Sequence, residues 1–183
     1  AIGLVGSEMC IRDSLKNVKA EFLLLNSNLA YQARENTKWG QEIPENLFFS
    51  YVLPYANLNE TVESWRIDFF NKFYPMVKDM QSAYDAVVFL NQKIFDELGV
   101  IYSTKRPKAD QSPYESINAG MASCTGLSIL LIDVCRSVGI PARFVGTPSW
   151  YNNSGNHSWV EIWDGEWHFT CLLYTSDAAD EQQ

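Results

Sequence analysis

A cysteine and a histidine in the C-terminal third of the sequence have the types and positions needed for covalent catalysis. Cys124 begins a predicted apolar helix and is flanked by Ser123 and Thr125. Backbone N–H groups in the first turn of a helix have no helical partners, and the helix dipole is positive there, so both favour a thiolate. A thiolate is the nucleophilic form of cysteine, and the N–H of Cys124 could also stabilise an oxyanion.

His157 opens a predicted strand, directly after a turn rich in asparagine and glycine. A neutral imidazole at that end of a sheet could take the thiol proton and later return it to a leaving group. A hairpin turn is predicted at Asp164-Gly165, which would place His168 opposite or nearly opposite His157, in a register that the sequence leaves open. We expect Cys124 and His157 to be the catalytic residues.

Other roles for these residues follow from their types alone. An isolated helical cysteine is commonly a small buried hydrophobe, and Cys135, in mid-helix among apolar neighbours, is the clearer example. Zinc could be bound by a set of four residues, Cys124, His157, His168 and Cys171. Their spacing matches no common zinc pattern, and the sequence contains no EF-hand loop. We therefore expect neither a metal nor a cofactor.

The elements that must position this pair begin with a helical part. Hydrophobic periodicity predicts one or two helices over 14–40, a loop or short helix over 44–60, and helices over 60–77 and 79–100. In the first of these, four residues are available for a core face: Leu23, Leu24, Ala30 and Tyr31. The polar segment 101–120, with two prolines, is predicted to be a long surface loop.

The candidate nucleophile lies on the next predicted element, a helix over 123–139 that ends at a glycine. Five of its residues should face the core: Leu127, Leu130, Leu131, Val134 and Val138. Strands follow at 141–147, 157–163 and 166–170, and the last two should form a hairpin. Helices followed by an antiparallel sheet define an α+β domain.

Composition sets the broad class of protein. Hydrophobic residues make up 46% of the 183 residues and aromatic residues 14%, which is typical of a folded globular domain. The net charge of -8 argues against a nucleic-acid partner, because a phosphate backbone requires a basic surface. No apolar stretch reaches the roughly 18–20 residues of a membrane span. The four cysteines show no CxxC spacing and no readable disulfide framework.

The two ends of the sequence follow neither a helical nor a strand pattern. The segments GSEMCIRDS and CLLYTSDAADE resemble translated sequencing adapters and join nothing periodic. We therefore expect 1–14 to be a non-native leader and 171–183 a non-native tail. Between them we expect a helical part over 15–110 and a catalytic core over 111–170.

Two motifs occur in a set order within 123–169. The first is the cysteine at a helix start, followed by Gly139-Ile140-Pro141-Ala142-Arg143 and a strand. The second is His-x-Trp-x-Glu-Ile, which begins at His157. Together they resemble the core of the transglutaminase-like superfamily, which has the papain-like thiol fold. The upstream segment 53–66 resembles the helical region that precedes this core in bacterial members.

The resemblance implies that Cys124 forms a thioester and that His157 acts as general base and acid. A third residue, usually an aspartate, orients the imidazole in this family. In many members it lies four positions past the tryptophan that matches Trp167, where this chain has Cys171. The next acidic residues along the chain are Asp177 and Asp180, and nothing in the sequence supports either of them as the orienting acid. We leave the acid unassigned and expect weak turnover.

Other residues near the motifs receive lesser roles. Glu161 has the same strand parity as His157, and we interpret it as a structural or supporting partner rather than the acid. Asp164 is expected to be exposed in the hairpin turn. A second oxyanion donor could come from any of three residues, namely Trp150, Asn118 and Gln111.

The resemblance thus implies a cysteine-dependent acyl-transfer enzyme that acts on peptide or amide bonds of a peptide or protein substrate, by hydrolysis or by transfer to an amine. An alternative on the same fold is a non-catalytic peptide- or glycan-binding module, a scaffold, or an inactive truncated fragment. The sequence does not determine the compartment; because relatives of this kind are often exported, the resemblance suggests the periplasm or the cell surface by analogy alone.

Overall fold

A computed structural model describes residues 18–149 and 156–170 of the chain. Its helices are α1 (Ala20–Asn36), α2 (Lys38–Glu42), α3 (Glu45–Tyr51), α4 (Trp65–Val77), α5 (Ala83–Leu98), α6 (Pro113–Ala119) and α7 (Cys124–Ser137). Its strands are β1 (Ile101–Tyr102), β2 (Met121–Ala122), β3 (Ala142–Thr147), β4 (His157–Trp163) and β5 (Trp167–Thr170). The prediction of an α+β domain is confirmed. The expected leader 1–14 and tail 171–183 lie outside the described residues.

The sheet that carries the predicted histidine has the order β3-β4-β5 and is antiparallel throughout. A separate pair, β1 and β2, is parallel. Along β4, buried and half-buried residues alternate from His157 to Trp163, as the strand period of two requires. The inner face of the sheet, which includes Val160 and Ile162, packs against α7.

Helix α7 is the central element of the fold. It packs against α4 on one side and against β3 and β4 on the other. Every residue from Gly126 to Ser137 is buried, and the five residues predicted to face inwards are at most 1% exposed. A helix at such a position is expected to be largely apolar, and the buried Asp133 and Arg136 are the charged exceptions in α7. The prediction of this helix and of its core face is confirmed.

The core face of α1 differs from the prediction. Ala30 is fully buried, but Leu24 is 64% exposed and Tyr31 is 41% exposed. Asn26 is buried instead, because its side-chain amide donates to the carbonyl of Leu53 and its oxygen accepts from Arg66. The helix is therefore rotated by a polar contact that hydrophobic periodicity does not register.

The prediction of one long loop over 101–120 is wrong in part. Helix α6 starts at Pro113 with a capping box, in which Ser112 and Glu115 each bond the backbone of the other. Residues 101–102 also pair with β2. The Ser-Pro-x-Glu pattern was readable as a helix start, so the sequence held the missing signal.

Two buried arginines hold the segment between α3 and α4. Arg66 and Arg136 are only 3% and 4% exposed, although both lie in helices that read as apolar. Their guanidinium groups donate to the backbone carbonyls of residues between Tyr51 and Ala56. Burial, and then the proximity of Arg136, lower the pKa of Arg66, while Asp133 opposes the shift. Buried cations of this kind are tolerated because their donors are satisfied.

Helix α5 ends just before Gly99, whose φ of 66° is left-handed. The N–H of Gly99 bonds Asp96 O, and the next N–H bonds Phe95 O at 2.9 Å. We expect Gly99→Ala to lower the free energy of unfolding by about 1 kcal/mol. A Cβ at this position would meet no atom within 4 Å, so the substitution causes no steric clash. The loss comes from the strain of an L-residue in the left-handed backbone conformation. Urea unfolding measures this loss. Gly99→Asn should lose less, and equal losses would contradict the backbone explanation.

Within 18–149 and 156–170, no helix is both long and apolar enough to cross a membrane.

Candidate active site

The first turn of α7 presents Cys124 at the protein surface. In this 14-residue helix only Cys124 and Thr125 are half-buried, whereas all the residues after them are buried. The hydroxyl of Ser123 does not cap the helix; it donates to the carbonyl of Ala109 at 3.3 Å. The N–H groups of the first turn are therefore not occupied by the preceding side chain, as an oxyanion site requires.

Gly126 explains how the start of α7 is held. A Cβ at this position would lie 2.8 Å from the Cβ of Ala122 and 3.4 Å from Oγ of Ser116. Only glycine lets β2 and α6 approach the first turn so closely. The space beside Gly126 is thus filled by the protein itself.

His157 is the first residue of β4 and pairs with Thr147 of β3. Its ring stacks near the ring of Trp159, with centroids 6.3 Å apart. Burial lowers the pKa of His157. A histidine with a lowered pKa is neutral at neutral pH, which is the form that accepts a proton.

An open cleft of about 410 Å³ separates the start of α7 from the ends of β3 and β4. Its lining includes Thr125 from α7, Phe144, Gly146 and Thr147 from β3, and His157 and Ser158 from β4. Thr125 directly follows Cys124, so the start of α7 and the histidine border the same space, although Cys124 itself is not one of the lining residues. Among the lining residues that the structure describes, His157 is the one titratable group.

The acids nearest to His157 along the strand and turn are engaged elsewhere. Glu161 lies on the same face, but it is four residues away, or about 13 Å along a strand. It forms an ion pair with Arg143, with an N–O distance of 2.6 Å, which supports its interpretation as a structural residue. Asp164 is half-buried rather than exposed, because its carboxylate accepts from the N–H of Tyr84 in the first turn of α5.

Two other predictions about the site change. His168 lies opposite Ile162 and not opposite His157, so the two histidines are on different faces and the prediction of their pairing is wrong. Gln111 is buried, and its amide donates to the carbonyls of Glu115 and Met121, so it is not a free oxyanion donor. Asn118 is exposed on α6. The other residues considered lie outside the described part of the chain: Trp150, Cys171, Asp177 and Asp180.

The family model of the transglutaminase-like superfamily matches residues 74–170, more than half of the chain. The chain belongs to the transglutaminase-like superfamily. No curated protein matches it significantly.

Solved structures resemble this transglutaminase-like chain at low sequence identity. A proposed cysteine protease from Cytophaga hutchinsonii matches with a TM-score of 0.56 and 18% identity, over 75% of this chain and 45% of that one. The periplasmic domain of TgpA from Pseudomonas aeruginosa, bound to ethylmercury, matches with a TM-score of 0.49 and 20% identity, over 64% of this chain and 46% of that one. The first likeness shows the fold, and this chain spans less than half of either protein.

The cleft of this transglutaminase-like domain uses residues that sequence reasoning missed. Phe144, Gly146 and Ser158 border it, yet they read only as strand positions in the sequence. Gly146 was the available signal, because a glycine inside a strand often marks a close backbone approach. Cys124 and His157 remain predicted catalytic residues.

Proposed function

We propose that this chain is a cysteine-dependent acyl-transfer enzyme acting on peptide or amide bonds, with Cys124 as nucleophile and His157 as general base and acid. The observation that carries the proposal is the exposure pattern of α7. The helix is buried except at Cys124 and Thr125, and Thr125 shares a cleft with His157. Membership of the transglutaminase-like superfamily supports the same assignment.

The proposed reaction has two halves. A ring nitrogen of His157 accepts the thiol proton, and Sγ of Cys124 bonds to the carbonyl carbon of the substrate. Helix N–H groups at the start of α7 stabilise the oxyanion. The C–N bond then breaks, and the leaving amine takes the proton from the imidazolium. Water or a second amine next attacks the thioester carbon and loses a proton to His157. The C–S bond breaks, the acid or the new amide is released, and the imidazolium returns the proton to Sγ, which restores the thiol.

The lowered pKa of His157 favours its role as the base that accepts the thiol proton. Burial lowers its pKa, so the neutral base is present at pH values above that lowered pKa and is lost only as the pH falls through it. Cys135, by contrast, is fully buried, and burial raises its pKa. Of the two cysteines within the described residues, Cys124 is therefore the one suited to nucleophilic attack.

Acylation by p-nitrophenyl acetate tests the proposal without knowledge of the natural substrate. We expect a burst of nitrophenolate and one acetyl group per chain on Cys124, located by mass spectrometry, because an activated thiolate forms a thioester. Cys124→Ser should lose the burst. A chain that shows no burst, or that is acetylated equally at Cys135, would support the non-catalytic alternative. Added primary amine should speed loss of the acetyl group if transfer competes with hydrolysis.

A further inference from the structure

The backbone groups of β3 can be assigned to its two edges. The N–H of Trp163 bonds the carbonyl of Pro141 at 3.0 Å, and the register pairs Ala142 with Ile162. In an antiparallel ladder, hydrogen-bonded pairs alternate with non-bonded ones. The bonded β3 residues beyond Pro141 are therefore Arg143, Val145 and Thr147. The N–H and C=O groups of Ala142, Phe144 and Gly146 point away from β4.

The outward edge of β3 is only partly used by the protein. At its start, the carbonyl of Ala142 accepts from the guanidinium of Arg136 at 3.1 Å. Further along, within 18–149 and 156–170, β4 is the only strand paired with β3. Phe144 is half-buried and Gly146 is exposed, and both border the cleft that holds His157. The open part of this edge thus leads directly to the candidate active site.

We propose that the substrate binds as an extended polypeptide strand along this edge, pairing with the backbone of Phe144 and Gly146, and that this pairing delivers its carbonyl to the cleft. This inference rests on the proposed function and adds the substrate class. The two residues are two positions apart, which is the spacing at which an added strand forms main-chain hydrogen bonds. The substrate is then an unfolded or extended protein segment, rather than a small amide or a glycan.

The composition of the cleft agrees with such a substrate. A Cβ at Gly146 would lie 3.3 Å from the carbonyl oxygen of His157 and 3.3 Å from a ring carbon of Phe144, so this position offers a partner only its backbone groups. The hydroxyl groups of Thr125 and Thr147 and the ring of Phe144 carry no charge, and His157 is the one titratable group of the described lining. Recognition through backbone groups needs no charged partner, which separates this mode from anion or cation binding.

Peptide chloromethyl ketones test the proposal against chloroacetone, which carries the same reactive group. In both cases Sγ of Cys124 displaces chloride and forms a thioether. We expect a tetra-alanine chloromethyl ketone to alkylate Cys124 at least about tenfold faster than chloroacetone, since two or more hydrogen bonds are added. N-methylation of the amides that face β3 should slow the peptide reagent by about fivefold each. N-methylation of the intervening amide should leave its rate unchanged.

Two proline variants test the protein side of the pairing. Gly146→Pro removes an N–H from the outward edge of β3 without removing a bond to β4, so the rate ratio of peptide reagent to chloroacetone should fall about fivefold. Phe169→Pro is the matched control. The pairing of Val160 with Thr170 directs the N–H of Phe169 to the opposite edge of the sheet, so this variant should leave the ratio unchanged.

The outcomes separate this inference from the proposed function. Chloroacetone could alkylate Cys124 selectively while N-methylation slows the peptide reagent equally at every position. In that case the proposed edge pairing is wrong, but Cys124 remains the proposed nucleophile. The same conclusion follows if both proline variants change the rate ratio equally. If neither reagent prefers Cys124 to Cys135, both proposals fail.

Discussion

Iodoacetamide should alkylate Cys124 roughly 100-fold faster than Cys135 at about pH 6, and the rate at Cys124 itself should fall strongly in His157→Ala. At this pH an ordinary thiol is almost wholly protonated, so rapid alkylation requires a nearby base. Cys124 is half-buried beside the cleft, whereas Cys135 is fully buried and its pKa is raised by burial. Peptide mass spectrometry over time measures both rates in the same sample.

The other histidine supplies the matched control. His168 lies on the opposite face of the sheet from His157, and its ring packs against Tyr84 with centroids 5.1 Å apart. We expect His168→Ala to leave the alkylation rate of Cys124 unchanged. Equal, slow alkylation of both cysteines would remove the support for a catalytic pair. A similar loss in both histidine variants would show an effect of folding rather than of base chemistry.

The rate of Cys124 alkylation should depend on pH in the direction set by the lowered pKa of His157. The pKa of His157 is lowered by burial, so its neutral form is retained above that lowered value and is lost as the pH falls through it. The fast reaction of Cys124 should therefore persist to a lower pH than the titration of an ordinary imidazole would allow. An acid limb at or above the usual imidazole pKa would contradict a buried base.

Arg66→Ala should lower the free energy of unfolding by more than about 4 kcal/mol, the largest stability effect expected in this protein. Arg66 donates hydrogen bonds to the side chain of Asn26 and to backbone carbonyls of four residues: Val52, Leu53, Pro54 and Arg136. Its side chain also lies over the ring of Trp65, 4.6 Å from the centroid. Alanine would remove all of these bonds and would leave the Val52 carbonyl and Asn26 Oδ1 without their donor, whereas the carbonyls of the other three residues keep a second one. Urea unfolding followed by tryptophan fluorescence measures the loss.

Two further variants make the Arg66 prediction specific. Lys72→Ala removes an exposed ion pair with Glu97, so it should change the free energy of unfolding by only about 0–1 kcal/mol. Arg66→Lys keeps the charge but has no planar fork, so it should recover only part of the loss. If Arg66→Ala costs no more than Lys72→Ala, the guanidinium does not hold the segment between α3 and α4.

Elements with a strong local pattern were predictable from the sequence. The helix at Cys124 and its core face followed from apolar spacing, and its end followed from a glycine and a nearby proline. The strand at His157 followed from alternation, and the turn between β4 and β5 from Asp164-Gly165. These signals depend on neighbours within a few residues, so the chain carries them without reference to its fold.

Other features depended on contacts between distant parts of the chain. The face that α1 buries is set by Asn26, which bonds a carbonyl 27 residues away. Arg66 and Arg136 are buried because their donors meet the carbonyls of a separate segment. Asp164 is half-buried because it accepts from the start of α5, 80 residues away. No local period encodes such polar contacts.

The sequence by itself determined the α+β class, the helix that carries Cys124 and the strand that carries His157, because hydrophobic period and turn residues act locally. Only the tertiary structure decided that His168 faces away from His157 and that the edge of β3 at Gly146 borders the cleft. Pairing register and strand order depend on which distant segments meet, and a shift of one residue moves every side chain to the other face.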